Sequence, residues 1–295
     1  HGAEPEFDNG VENLARGPVH EGYAQPVEQT LMPGVVVPKR PPEPIDELPP
    51  DERPEGDRVV WLPGYWAWDA DREDFIWVSG FWRVPPPNRF WMPGSWRKVD
   101  DGWQWVSGFW QAVDQGRTEI EYLPEPPASI DNGPMIPAPS DDSIYIPGNW
   151  VWQNRYVWQP GYWTDCRPDL VWIPNHYRWT PFGSVFVRGY WDYPLAGRGI
   201  LSAPAFIPRP IFARPAFCWT PRLVVQPDCM LGSLFVRRGG YFFSDYFGPA
   251  YAARGYTAWC GLRGGPAIAP VRGLYDPLFR HYQAVNRADP FWRGG

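Results

Sequence analysis

The chain has 295 residues, a net charge of −6, and an unusual composition: 20 Trp, 15 Tyr and 16 Phe beside 39 Pro and 30 Gly. So many aromatic residues exclude an intrinsically disordered chain, and breakers this frequent exclude long helices. No run approaches eighteen apolar residues, so no transmembrane helix is expected. Charge is segregated along the chain. Residues 1–58 carry 13 acidic against 5 basic groups, and residues 196–295 carry 4 against 12. Only Lys39 and Lys98 are lysines; the other basic residues are arginines, which stack on rings and fork to carboxylates.

Residues 1–58 read as a Pro-rich, acidic, extended arm. The stretch PKRPPEPIDELPPDERPEGD mixes turn formers with charge and lacks apolar periodicity. Such an arm is a detachable tail or a strap laid on another surface. His1 opens it, which suggests a leader that has been removed or is simply not included. A copper-binding role for His1 would need a second His on a rigid sandwich, and a flexible arm does not offer one.

Aromatic cores follow. Residues 59–113 form a first block with cores Trp61–Trp66, Trp77–Trp82, Trp91–Trp96 and Trp105–Trp110. Residues 114–142 form a Pro-rich linker. Residues 143–195 form a second block with cores Tyr145–Trp150, Trp158–Trp163, Trp172–Tyr177 and Phe186–Trp191. Start-to-start spacings are 16, 14 and 14 in the first block and 13, 14 and 14 in the second, a fixed period near fourteen. Within the cores lie Gly64, Gly80, Gly94, Gly108, Gly148, Gly161 and Gly189, read as turn glycines; the seventh core has Asn175 and His176 instead.

Each core therefore reads as two short strands about a turn, and the chain as an all-β, repeat-built meander. With Pro160 and Gly161 as a hairpin turn, Gln159 would face Tyr162 and Trp158 would face Trp163. Pro-Gly favours turns whose twist suits tight hairpins poorly, so a corner between strands of different sheets is the alternative. Polar turns at residues 69–72, 85–88 and 100–102 join the cores. Apolar groups fall on both strand faces, so both should be covered, by another sheet, the Pro-rich segments or a second copy.

Residues 196–295 form an Arg-, Gly- and aromatic-rich region in which residues 233–242 faintly echo a ninth core. Cys166, Cys218, Cys229 and Cys260 lack C-x-x-C spacing, which excludes the common zinc and redox motifs; their even number points to two disulfides in an oxidising compartment.

The cores resemble the WxxGxW (Y-x-W-x-x-G-x-W) repeat family, in particular secreted planctomycete-type proteins. There a PVHE segment (here residues 18–21), a PPEPI-E-PP-D arm (residues 41–51) and W-P-G-Y-W-A-W-D units (residues 61–87) recur in this order. The resemblance implies export and a cell-envelope or extracellular setting, and no catalytic residues.

No phosphate-binding loop, dinucleotide fingerprint, nucleophile elbow or H-E-x-x-H motif occurs, and no cofactor or metal is expected. The expected function is that of a non-enzymatic, self-assembling structural protein. Its acidic arm would reach the basic rear of the next subunit, so its partner is itself. The alternative is a glycan or cell-wall binder with exposed Trp and Tyr platforms. Nucleic acid is not an expected partner.

Overall fold

The computed structural model describes residues 6–8, 10–113, 120–259, 274–289 and 292. The expected all-β class is borne out: short antiparallel strands dominate, and the longest described helix is Pro277–Val285.

The repeat unit is twice the expected length. Eight cores make four modules, each a long hairpin whose two strands both bend at the Gly-containing corner. In the first module Val60–Leu62 pairs with Phe81–Arg83, and beyond the corner Tyr65–Asp69 pairs with Asp74–Val78. In the second, Arg89–Met92 pairs with Phe109–Ala112 and Ser95–Val99 with Gly102–Val106. The third joins Ser143–Ile146 to Tyr162–Asp165 and Asn149–Trp152 to Tyr156–Gln159. The fourth joins Val171–Ile173 to Tyr190–Asp192 and His176–Thr180 to Gly183–Val187.

The corner, not the hairpin, is thus the role of the X-Gly step. Trp158 faces Trp150 and Trp163 faces Tyr145, which replaces the pairing of Trp158 with Trp163. The chain reverses at polar loops such as residues 70–73 and 100–101. Asp69 caps the first of these by accepting from Asp71 N at 2.8 Å. The aromatic pairs are Trp61/Trp82, Trp66/Trp77, Trp91/Trp110, Trp96/Trp105, Tyr145/Trp163, Trp150/Trp158, Trp172/Trp191 and Tyr177/Phe186. Their centroids lie 4.9–5.5 Å apart; four pairs are edge-to-face and four are tilted by 48–60°, so none adopts the face-to-face stack that ring quadrupoles disfavour.

The N-terminal arm is extended but not detached. Val11–Asn13 pairs with Ala205–Phe206, which in turn meets Trp77. Gly17–Pro18 adds to the hairpin Leu234–Arg237/Gly240–Phe243, Val27–Glu28 pairs with Leu274–Tyr275, and Val36–Val37 edges the second module. Asp46–Glu47 runs parallel to Cys218–Trp219. The acidic front thus lies on the basic rear of its own chain.

Among the described residues three apolar clusters result, the least of them Phe109 with Val185 and Val187, and two reach the arm. The larger joins Val19, Tyr23 and Val27 to Phe81, Trp110, Val171 and Leu195, and to Tyr241, Trp259 and Phe279 of the rear. The smaller joins Val11 and Val37 to Trp66, Phe75, Trp77 and Trp219. The residues that echoed a ninth core form a plain hairpin, Arg237 opposite Gly240, with no corner.

Cys166, Cys218 and Cys229 are free thiols, which corrects the two-disulfide expectation for these three; Cys260 and His1 lie outside the described residues. Cys218 and Cys229 are exposed on a strand and a helix. Cys166 instead lies 3.9 Å from His281 Nδ1.

Candidate functional site: carboxylate-filled glycine corners

The corner explains the W-x-x-G spacing. In seven of the eight cores the first aromatic lies over the glycine of the facing core. A Cβ on Gly80 would meet Trp61 Cζ2 at 2.6 Å, and one on Gly108 would meet Trp91 Cζ2 at 2.4 Å. These glycines do not have positive φ, so they are required for space under a ring rather than for a left-handed backbone. Gly64, Gly94, Gly148, Gly161 and Gly189 lie likewise beneath Trp77, Trp105, Trp158, Tyr145 and Trp172. In the seventh core Asn175 stands at the glycine position, and the first aromatic of the facing core is the smaller Phe186.

Two bent strands leave backbone N–H groups pointing out of the ladder, and buried N–H groups need acceptors. A side chain from outside the hairpin supplies them. Glu47 accepts from Gly64 N at 2.7 Å, Gly80 N at 2.9 Å and Trp77 Nε1 at 2.9 Å. Glu21 repeats this in the second module, with Trp105 Nε1 at 2.8 Å and Gly108 N at 2.9 Å. In the third, Asp131 accepts from Gly148 N and from Tyr145 OH at 3.0 Å. The fourth module closes on itself, Asn175 Oδ1 accepting from Gly189 N at 2.7 Å.

The Pro-rich segments are therefore straps, and their carbonyls serve the flanking indoles. Around Glu47, Trp66 Nε1 donates to Glu43 O and Trp82 Nε1 to Pro50 O. Around Asp131, Trp150 Nε1 donates to Ala128 O and Trp163 Nε1 to Ile136 O. An extended, proline-rich chain suits this task because its carbonyls are not committed to a helix or ladder. Sequence reasoning missed these three carboxylates. The signal available for two of them was an acid closing a short Pro-led segment with one β-branched residue, Glu21 in P-V-H-E and Glu47 in P-I-D-E.

Where the straps and modules converge, Arg83 and Arg198 flank Asp192, all three buried. Arg83 Nη2 donates to both Asp192 oxygens at 2.7 Å, and its Nε to Gly22 O at 3.0 Å. Arg198 Nη1 donates to Tyr23 O at 2.6 Å. This hub fixes residues 22–23 between the first module and the fourth. At the rear Asp276 caps the helix Pro277–Val285 by accepting from Phe279 N at 2.9 Å, and also takes Tyr241 OH and Trp259 Nε1.

Burial sets the titration of these groups. Desolvation pushes the carboxyls of Glu21, Glu47 and Asp276 up, against the opposing pull of their N–H and O–H donors. It also pushes His20 down to about 4, His176 to about 3 and His281 to about 4. His20 is held as the neutral tautomer: Nδ1 accepts from Gly22 N at 3.0 Å while Nε2 faces Pro63 O at 3.1 Å. A depressed histidine contributes stability that is present above its ordinary value near 6.5 and is lost as pH falls toward its folded value. Each can contribute a slope of up to about 1.4 kcal/mol per pH unit. The raised carboxyls act oppositely, their contribution being greatest at low pH and lost as pH rises through their folded values. We therefore expect denaturant midpoints to fall between pH 6.5 and 5, where the histidines titrate in the unfolded chain, and to flatten toward pH 4 as the carboxyls compensate. A profile flat from 7 to 5 would mean that the histidines take up protons in place.

The WXXGXW repeat description matches residues 59–83, 90–111, 144–164 and 167–192, one match for each bent hairpin. No curated protein and no solved structure matches the chain. Four matched segments that fold as four carboxylate- or amide-closed modules show that this part of the chain is built of WXXGXW repeats.

Proposed function

We propose that this is a non-enzymatic structural protein of the cell envelope or exterior that self-associates through the strap-covered face of its third module. The observation that carries the reading is an apolar surface there. Met135 is 98% exposed, Ile136 66%, Ile130 54% and Tyr162 52%. Ile130, Met135 and Ile136 belong to one strap, which Trp163 holds by donating to the Ile136 carbonyl, while Tyr162 extends from the opposite face of the same strand. Apolar groups presented together in this way mark interaction surfaces. Corner amides and indoles of the repeats are bonded within the fold, among them Gly64, Gly80, Gly108, Trp66, Trp77 and Trp105, which supports scaffold work over chemistry. The acidic arm no longer enters this reading as the intermolecular link, because it is laid on its own chain. The exported setting rests on the family resemblance alone, since the disulfide argument for it has lapsed.

Light scattering should give a mass above that of one chain, rising with concentration, and Met135→Ser with Ile136→Ser should return it to 33.9 kDa. A wild-type chain that stays monomeric at every concentration would end the proposal.

Glycan binding is the second reading, favoured by a cleft of about 820 Å³ between the strap at residues 39–46 and residues 206–217. Phe206, Phe212 and Phe217 line it, with the exposed Arg209 and Arg214 at its rim, a combination suited to acidic sugars. Retention on an insoluble acidic glycan, lost in Arg209→Ala with Arg214→Ala, would favour it.

A further inference from the structure

Beside the Arg83–Asp192–Arg198 hub lies a small cavity of about 10 Å³, room for one water-sized particle. Arg178 and Arg198 both line it and are 5% and 2% exposed. Arg178 donates from Nη2 to Gln25 Oε1 at 2.7 Å, but its Nε–H has no hydrogen-bond partner. Arg198 commits Nε to Tyr193 O and Nη1 to Tyr23 O. Its Nη2 is 3.2 Å from Asp192 Oδ2 yet makes no hydrogen bond.

The lining carboxylates are already engaged. Asp192 receives two bonds from Arg83 and one from Tyr193 N, while Glu21 receives Trp105 and Gly108. Of the remaining polar lining, His176 donates Nδ1–H to Pro174 O and is neutral. Three guanidinium groups thus stand against two carboxylates at this point, with Glu28 behind Arg178. Two orphaned guanidinium N–H groups in one buried, cation-rich space call for an acceptor that carries negative charge.

We infer that this cavity is a chloride site, the ion accepting from Arg178 Nε and Arg198 Nη2. Chloride there would tie the fourth module, which carries Arg178 and Asp192, to the strap at residues 21–25 and to the loop that carries Arg198. The ion is structural, and its binding is read as stability.

The test is thermal unfolding of the full chain at constant ionic strength, with chloride exchanged for gluconate. Once chloride exceeds its dissociation constant about a hundredfold, the midpoint should rise by roughly 5 °C over gluconate. Bromide should substitute for chloride, and Arg178→Met should abolish the difference between salts. Should that variant fail to fold, anomalous diffraction from wild-type crystals soaked in bromide decides the matter independently. A peak between Arg178 Nε and Arg198 Nη2 is the expected result. Stability indifferent to the halide, or ordinary water density without anomalous signal, would overturn the assignment in favour of a buried water.

Discussion

Removal of residues 1–58 is expected to leave a chain with no cooperative unfolding transition, although the four modules would be covalently intact. The segment places Val11, Leu14, Val19, Tyr23, Ala24, Val27 and Val37 in the interior, all but Leu14 divided between the larger and the smaller core. At about 1.5–3 kcal/mol for each large side chain, the six bigger ones together contribute roughly 9–18 kcal/mol. The whole stability of a domain is about 5–15 kcal/mol. The deletion also takes away Glu21 and Glu47, so two corners lose their acceptors, and it strips the acceptor carbonyls of Gly22 and Tyr23 from Arg83 and Arg198. Circular dichroism and near-ultraviolet tryptophan signals during heating would check this. A sharp transition in the truncated chain, with native-like tryptophan signals, would show that the modules hold themselves together and that the straps are accessory.

That result bears on what the sequence could reveal. The period, the strand content and the polar reversals at residues 69–72 and 100–102 were legible because they depend on neighbours in the chain. Pairing was not. In Trp158-Gln-Pro-Gly-Tyr-Trp163 the two rings are equally well placed to face each other across a tight turn or to face rings of adjacent cores. Only the unsuitable twist of Pro-Gly argued for the second. A better clue lay between the cores, where a short polar loop at residues 70–73 contrasts with the Pro-rich link at residues 84–88. The first closes a hairpin and the second joins two hairpins. The straps were harder still. Glu21 and Glu47 sit among prolines and charges, a composition that describes solvated chain equally well. What buries their carboxyl ends is a set of glycine amides far away in sequence, and one sequence does not display that. The seventh core did hint at it: the Asn175 departure marks the one module whose corner acceptor comes from within.

Replacing Glu47 tests the corner most sharply, because this carboxylate answers three donors with two oxygens. Glu47→Ala leaves Gly64 N, Gly80 N and Trp77 Nε1 without acceptors, and Trp77 is 1% exposed, so water does not readily replace the lost bonds. An unsatisfied buried donor costs about 1–3 kcal/mol, and with partial relaxation of three the expected loss is about 3–5 kcal/mol. Glu47→Gln should cost less, about 1–3 kcal/mol. Its amide oxygen can serve one side of the corner, as Asn175 serves Gly189 in the fourth module, but its NH₂ then confronts a donor on the other side. The order Ala worse than Gln worse than Glu, read from urea midpoints with tryptophan fluorescence, separates this account from a simple loss of surface charge. A charge effect would make Ala and Gln equal and would fade with salt, because screening acts on exposed charges and scarcely on an enclosed hydrogen-bonded one. Equality of the two variants, each within about 0.5 kcal/mol of wild type, would mean that the corners are hydrated. The straps would then be held by their carbonyl–indole bonds, and the acids at positions 21, 47 and 131 would owe their placement to something other than the glycines.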